Sequence, residues 1–274
     1  MTDEEFLPIF FRNIAELRQR FLKFLEVFGI LFLLMVGFRL TYYSIFGFRI
    51  VFLKFDFVHN MGAQFLSLLE AHILPDGTKL LILKPTDGVA ADFYVILFLD
   101  LLFTMPYLIY QILKYIGPAL KRGEKELIRS ILLPASVLFA SGSIFGIYVV
   151  APDVFKIFNY FDVGLGAFSS VGLLSFTSFL ILYTVLFGIS FEVPVFMYGL
   201  TRSGLVPSEY WRSHWRYSIV ISLIIGMIFS PGVTGFTMIV IAIPMIALYF
   251  CGIYFAARWE RRSSMKSERV SEAL

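Results

Sequence analysis

The sequence predicts an all-α membrane protein of six transmembrane helices, and three observations carry that expectation. The 274 residues are 58% hydrophobic and only 16% charged, whereas soluble domains run near 45–50% apolar and about 25% charged. Six stretches approach the roughly 20 apolar residues needed to cross about 30 Å of hydrocarbon, and in lipid such stretches must be helices to satisfy their own backbones. Basic residues also fall mostly into alternate loops. The 32 phenylalanines and 14 tyrosines suit a lipid-facing surface with interfacial anchors.

The chain divides as one integral membrane domain, 1–274. Residues 1–23 predict a cytoplasmic amphipathic helix. Phe10, Ile14, Leu17 and Phe21 share one face at helical spacing, and Arg12, Glu16 and Arg20 share another. That second face is either a surface laced by i,i+4 ion pairs or a way of presenting Glu16 to a cationic ligand. The first span is expected over Phe24–Ile45. Residues 46–92 then form an external cap with turn signals at Pro75-Asp76-Gly77 and Pro85-Thr86-Asp87-Gly88, and helical spacing from Asn60 to Leu74.

The second span, Phe93–Leu113, contains Asp100, a kinking Pro106, and Gln111, which needs a hydrogen-bond partner. Gly117 and Pro118 end it. Glu124 and Glu126 follow in a mostly basic loop, where they either start the next helix or bind a cation. The third span, Leu127–Val150, holds Gly142 and Gly146 at the spacing of close helix packing. The fourth, Phe176–Leu200, contains Glu192 two residues before Pro194. A carboxyl there must face protein or water. The fifth, Tyr217–Phe229, is short and turns back at Pro231. The sixth, Phe236–Ala256, leads into a basic tail, 257–274.

Lys and Arg set the orientation. They cluster in the N-terminal segment, in the second and fourth loops and in the tail, against Arg39, Arg49, Lys54, Lys79, Lys84 and Lys156 on the other side. The bias is roughly three to one, so both termini are expected in the cytoplasm. Trp211, Trp215 and Trp259 all fall at cytoplasmic boundaries.

Little points to catalysis. There is no HExxH, nucleophile elbow, phosphate loop or dinucleotide fingerprint. A single cysteine, Cys251, permits no internal disulfide, and His59, His72 and His214 lack ligand spacing. The acidic N-terminus does not read as a cleavable signal peptide. The expectation is a protein that is not an enzyme, with no cofactor, no metal and no nucleic-acid partner.

Several strings carry a resemblance: MPYLIYQILKYIGPALKRGEK (105–125), SFEVPVFMYGLTRSGLV (190–206), GMIFSP (226–231), AIPMIALYFCGIYFA (242–256) and IAELRQR (14–20). In order and spacing they resemble the TatC family, the multi-spanning receptor of the twin-arginine translocase. The resemblance covers roughly 10–24 and 86–256. It implies a concave, glove-like six-helix scaffold whose last two spans are short, in the cytoplasmic membrane. It implies binding of twin-arginine signal peptides, recruitment of TatA/TatB-type single-span subunits, self-association within the bilayer, and export of folded proteins driven by the proton-motive force.

By the same resemblance Glu16 and Glu124 receive the two arginines. A carboxylate accepts a guanidinium bidentately, so the chemistry agrees. Glu192, with Gln111, is implied as an intramembrane polar docking point for a partner helix, and Pro106, Pro118, Pro194 and Pro231 as structural kinks. Three departures stand out: Asn13-Ile14 replaces the family's His-Leu pair, no acidic residue follows Pro231, and the external loop is long. A different class, a proton-coupled secondary transporter of a small solute using Glu192 and Asp100, is the alternative. No convincing internal repeat supports it.

Overall fold

The computed structural model describes residues 3–45, 48–75, 77–116, 124–166, 170–230 and 235–272. Among them the chain is mostly helical, with two small two-stranded sheets that the all-helical expectation did not contain. Among the described residues four helices are long and apolar enough to cross a membrane: Asp87–Tyr115, Ile131–Gly164, Leu173–Arg202 and Gly235–Ser263, with a shorter apolar helix at Trp215–Phe229.

The contacts divide the chain into two units: 1–136 with 158–181, and 137–157 with 182–274. The first unit opens with α1 (Asp3–Gly37), which carries the amphipathic segment straight into apolar sequence. The helix expected over Phe24–Ile45 stops at Gly37. Its last eight residues are instead β1 (Phe38–Ile45), paired antiparallel with β2 (Phe48–Phe55). Aromatic and β-branched residues on both strands favour the pleated form. The Asp56 N–H bonds to the Gly37 carbonyl at 3.0 Å, closing the hairpin onto the helix end.

α2 (Met61–Ile73) starts where the sequence places it. The Asn60 side chain accepts the Ala63 N–H at 2.9 Å as N-cap, and donates to the Asp92 carboxylate at 2.6 Å. That second bond ties α2 to α3 (Asp87–Ile116). Buried Val95, Ile96 and Phe98 of α3 and Met35 and Val36 of α1 belong to this unit's core. β3 (Lys79–Leu81) and β4 (Ser170–Gly172) pair in parallel, joining two distant loops.

α4 (Glu124–Phe145) runs without a break through a π-helical turn, Gly146–Val150, into α5 (Ala151–Gly164), well beyond the predicted end at Val150. Pro152 explains the wide turn. It has no N–H to offer a carbonyl four residues back, and the Ala151 N–H reaches the Gly146 carbonyl five residues back instead.

The second unit contains the far half of α4, the end of α6 (Leu173–Phe191), α7 (Val193–Arg202), α8 (Ser208–Ser213), α9 (Trp215–Phe229) and α10 (Gly235–Glu272). Small residues set its packing. A Cβ on Gly142 would meet the Phe187 carbonyl at 2.5 Å, and one on Gly146 the Tyr183 carbonyl at 3.0 Å, so the glycine pair brings α4 and α6 together. Ser218, Ser222 and Gly226 are the buried stripe of α9, and a Cβ on Gly226 would lie 2.6 Å from the Met238 carbonyl of α10. α9 is short, 15 residues, as expected. α10 is not: it continues for 38 residues through the basic tail. The tail's Ala, Arg, Glu and Met are strong helix formers, and no Gly or Pro follows Gly252 to stop it.

Candidate functional site

Glu16 sits on α1 with its side chain 40% exposed. The Arg20 guanidinium, one turn on, donates to Glu16 Oε1 from Nε at 3.0 Å and from Nη2 as well. Both bonds go to one oxygen. The carboxylate therefore holds a guanidinium already and keeps its other oxygen for a second donor. Arg18 is exposed on the same helix. Glu124 is the first residue of α4, but its side chain, like that of Glu126, lies outside the described residues. Pro118 and Pro231 lie outside them too.

Glu192 interrupts the fourth predicted span. α6 ends at Phe191 and α7 begins at Val193, with Pro194 in the first turn of α7. The Glu192 N–H bonds three residues back to Ile189 at 3.0 Å, and its carbonyl accepts the Phe196 N–H at 2.9 Å. Proline leaves the carbonyl of Ser190 without its helical donor, which is why the break falls here. The carboxyl group stands beside the Phe139 main chain, and Oε1 is buried with no hydrogen-bond partner. Ser143 Oγ, one turn along α4 from Phe139, is likewise buried and unpartnered. A Cβ on Gly188 would sit 2.7 Å from that Oγ and 2.7 Å from the Phe139 ring. Two unsatisfied polar groups thus flank one helix crossing, in a setting where such groups cost about 1–3 kcal/mol each.

In the first unit Gln111 is buried on α3, and the helix runs on through Pro106. Asp100 is fully buried with both carboxyl oxygens unpartnered. The Tyr183–Phe229 link of the second unit has no sequence motif: Tyr183, fully buried, donates its phenol O–H to the last carbonyl of α9 at 2.9 Å. Its only hint is a tyrosine in the middle of an apolar span, where the hydroxyl needs an acceptor.

The tryptophans gather at one end of the second unit. Trp211 Nε1 donates to Thr201 Oγ1 at 3.1 Å, Trp215 packs on Phe250, and Trp259 meets Tyr198 edge-on. At that end a cavity of about 400 Å³ is lined by Arg212, Arg258, Arg261 and Arg262. Among the described residues no group of three or more His, Cys, Asp or Glu side chains is placed to hold a metal.

Helices long and apolar enough to cross a membrane, with buried carboxyl oxygens at Asp100 and Glu192, define the class as a multi-spanning membrane protein. The family model described as Sec-independent protein translocase protein (TatC) matches residues 12–244, and the chain belongs to the TatC family. The Sec-independent protein translocase protein TatC of Cenarchaeum symbiosum is 31% identical over 253 residues, 92% of this chain and 96% of that one. TatC of Escherichia coli is 27% identical over 256 residues, 93% and 90% of the two chains. A crystal structure of a twin-arginine translocase receptor, TatC, matches with a TM-score of 0.71 at 26% identity, covering 89% of this chain and 98% of the other. The protein is a membrane component of the Sec-independent translocase, not an enzyme.

Proposed function

We propose that this chain is the receptor of a twin-arginine translocase in the cytoplasmic membrane, with six spans and both termini cytoplasmic. The apolar end of α1 and the short α9 supply the two crossings beyond the four long helices. Signal peptides carrying two adjacent arginines bind on the cytoplasmic side, one arginine at Glu16 and the other at Glu124. Single-span TatA/TatB-type subunits dock through the bilayer at the Glu192 break, and the proton-motive force drives export of the folded cargo.

The observation that carries the reading is the state of Glu16. Its half-exposed carboxylate already receives a guanidinium through two N–H donors. An incoming arginine needs the same acceptor geometry. The unpartnered Glu192 Oε1 supports the second half, because a polar residue on a partner helix would satisfy it.

Photocrosslinkers placed beside the two carboxylates, at positions 17 and 125, test the peptide site. Both are expected to capture a twin-arginine peptide and to lose most of that yield with the twin-lysine version. Equal capture of both peptides would reject the assignment.

A further inference from the structure

At the α1 end of the hairpin, over residues 38–42 and 51–55, the pairing register of β1 and β2 sorts the residues into two unlike faces. Residues directly opposite each other on antiparallel strands point to the same face, and neighbours along a strand alternate. Phe38 faces Phe55, Leu40 faces Leu53, and Tyr42 faces Val51, so these six share one face. Every one is apolar or aromatic. Arg39 faces Lys54 and Thr41 faces the exposed Phe52, so over these rungs the other face carries both charges and a hydroxyl beside one aromatic ring.

The apolar face is uncovered. Tyr42 is 67% exposed, Leu53 55% and Phe55 72%. Exposed contiguous apolar surface of this kind marks a site of contact with protein or membrane. Three features favour membrane. First, the hairpin follows α1 with no linker, and its far end returns to the same point through the Asp56 to Gly37 bond. The last turns of α1 carry exposed Ile30, Leu33 and Leu34, and a Cβ on Gly37 would lie 3.6 Å from the Phe55 ring, so the hairpin's apolar face abuts the end of a helix that lipid would cover. Second, strand addition at the β1 edge is blocked. The Gln64 side chain of α2 accepts the Leu40 N–H at 3.0 Å and donates to the Leu40 carbonyl at 2.9 Å. Third, the polar face is fixed away from this role by its own partner, since Arg39 pairs with Asp56 at 3.3 Å.

We infer that the β1–β2 hairpin is a membrane-interface element that lays its Phe38, Leu40, Tyr42, Val51, Leu53 and Phe55 face on the lipid surface beside the end of α1. An open hairpin cannot enter the hydrocarbon core, where its unpaired strand edges would have no partner. It can lie at headgroup depth with its aromatic residues anchored there, as amphipathic interfacial elements do. The inference rests on the proposed crossing of the membrane by α1.

The test uses the full chain in phosphatidylcholine vesicles, with Cys251→Ser to remove the native thiol. Single cysteines, Leu53→Cys, Lys54→Cys and Leu33→Cys, carry a nitroxide spin label, and saturation is measured with oxygen and with a water-soluble nickel chelate. Variants are taken forward only if their unfolding temperature matches the parent. Leu53 is expected to be several-fold more accessible to oxygen than to nickel, as Leu33 is, with the preference reversed at Lys54. Lipid access at Leu33 with nickel access at Leu53 overturns the hairpin inference and leaves the span standing. Protection of Leu53 from both reagents means that a protein covers the face, and overturns it as well. Nickel access at Leu33 removes the span and the inference together.

Discussion

Gly142→Leu is the sharpest test of the packing that holds the Glu192 break in place. A Cβ at this position would lie 2.5 Å from the Phe187 carbonyl and 2.7 Å from the Phe191 ring. The carbonyl belongs to the α6 backbone and cannot swing aside, so α4 and α6 must separate. Overpacking of this kind costs up to about 3 kcal/mol. Replacing a helical glycine returns about 0.8–1 kcal/mol of propensity. The net loss is about 2 kcal/mol, or a fall of roughly 4–8 °C in unfolding temperature at about 2–4 °C per kcal/mol for a chain of this size class. The matched control is Gly29→Leu, where nothing lies within 4 Å of the added Cβ. Thermal unfolding of both purified variants in one detergent gives the answer. Equal unfolding temperatures would refute the close approach of α4 and α6, and with it the packing of Phe191 against Gly142.

Three further outcomes follow from the same structure. Glu192→Leu removes a buried oxygen that has no partner, so stability should hold or rise by about 1–3 kcal/mol while copurification of single-span subunits is lost; retained copurification counts against docking there. Asn60→Ala removes both the N-cap of α2 and the donor to Asp92, and about 1 kcal/mol for the cap alone should appear as faster amide exchange across Met61–Ile73. Asp56 lies outside the spans. The His59 N–H first, then the Arg39 guanidinium and the Val58 N–H, outweigh partial burial and hold its carboxyl down to about 2 from the ordinary 3.8. A depressed carboxyl stabilises the fold fully above the unfolded value, and that support fades as pH falls from about 4 toward 2. Amide exchange at Val58 and His59 should accelerate across that window in the parent and show no such step in Asp56→Asn.

Much of the helical content was legible because apolar length is a strong signal. The helical spacing from Asn60 to Leu74 and the short α9 were equally plain. The hairpin was not: FRLTYYSI adds enough hydrophobicity to extend a helix on paper, and only its pairing with FRIVFLKF distinguishes it. A sequence read one segment at a time cannot weigh a partner strand. The π turn was hidden for a related reason, since Pro152 disturbs residues before it rather than at it. At the candidate site, Glu192 stood out as a carboxyl in an apolar run. Its neighbour Ser143 did not, because a serine in a span is unremarkable until its hydroxyl is found buried and unpartnered. The Arg20 claim on Glu16 was visible as four-residue spacing, though spacing could not say that both donors take the same oxygen.

The most direct test of receptor function is a binding titration of the full chain with a fluorescent twin-arginine signal peptide, comparing the parent with the Glu16→Ala, Glu124→Ala double variant. Losing two charge-assisted contacts of about 1.5–3 kcal/mol each predicts a fall in affinity of at least about a hundredfold. It also predicts that the variant no longer distinguishes the arginine pair from a lysine pair. Unchanged affinity and unchanged discrimination in the double variant would contradict the account.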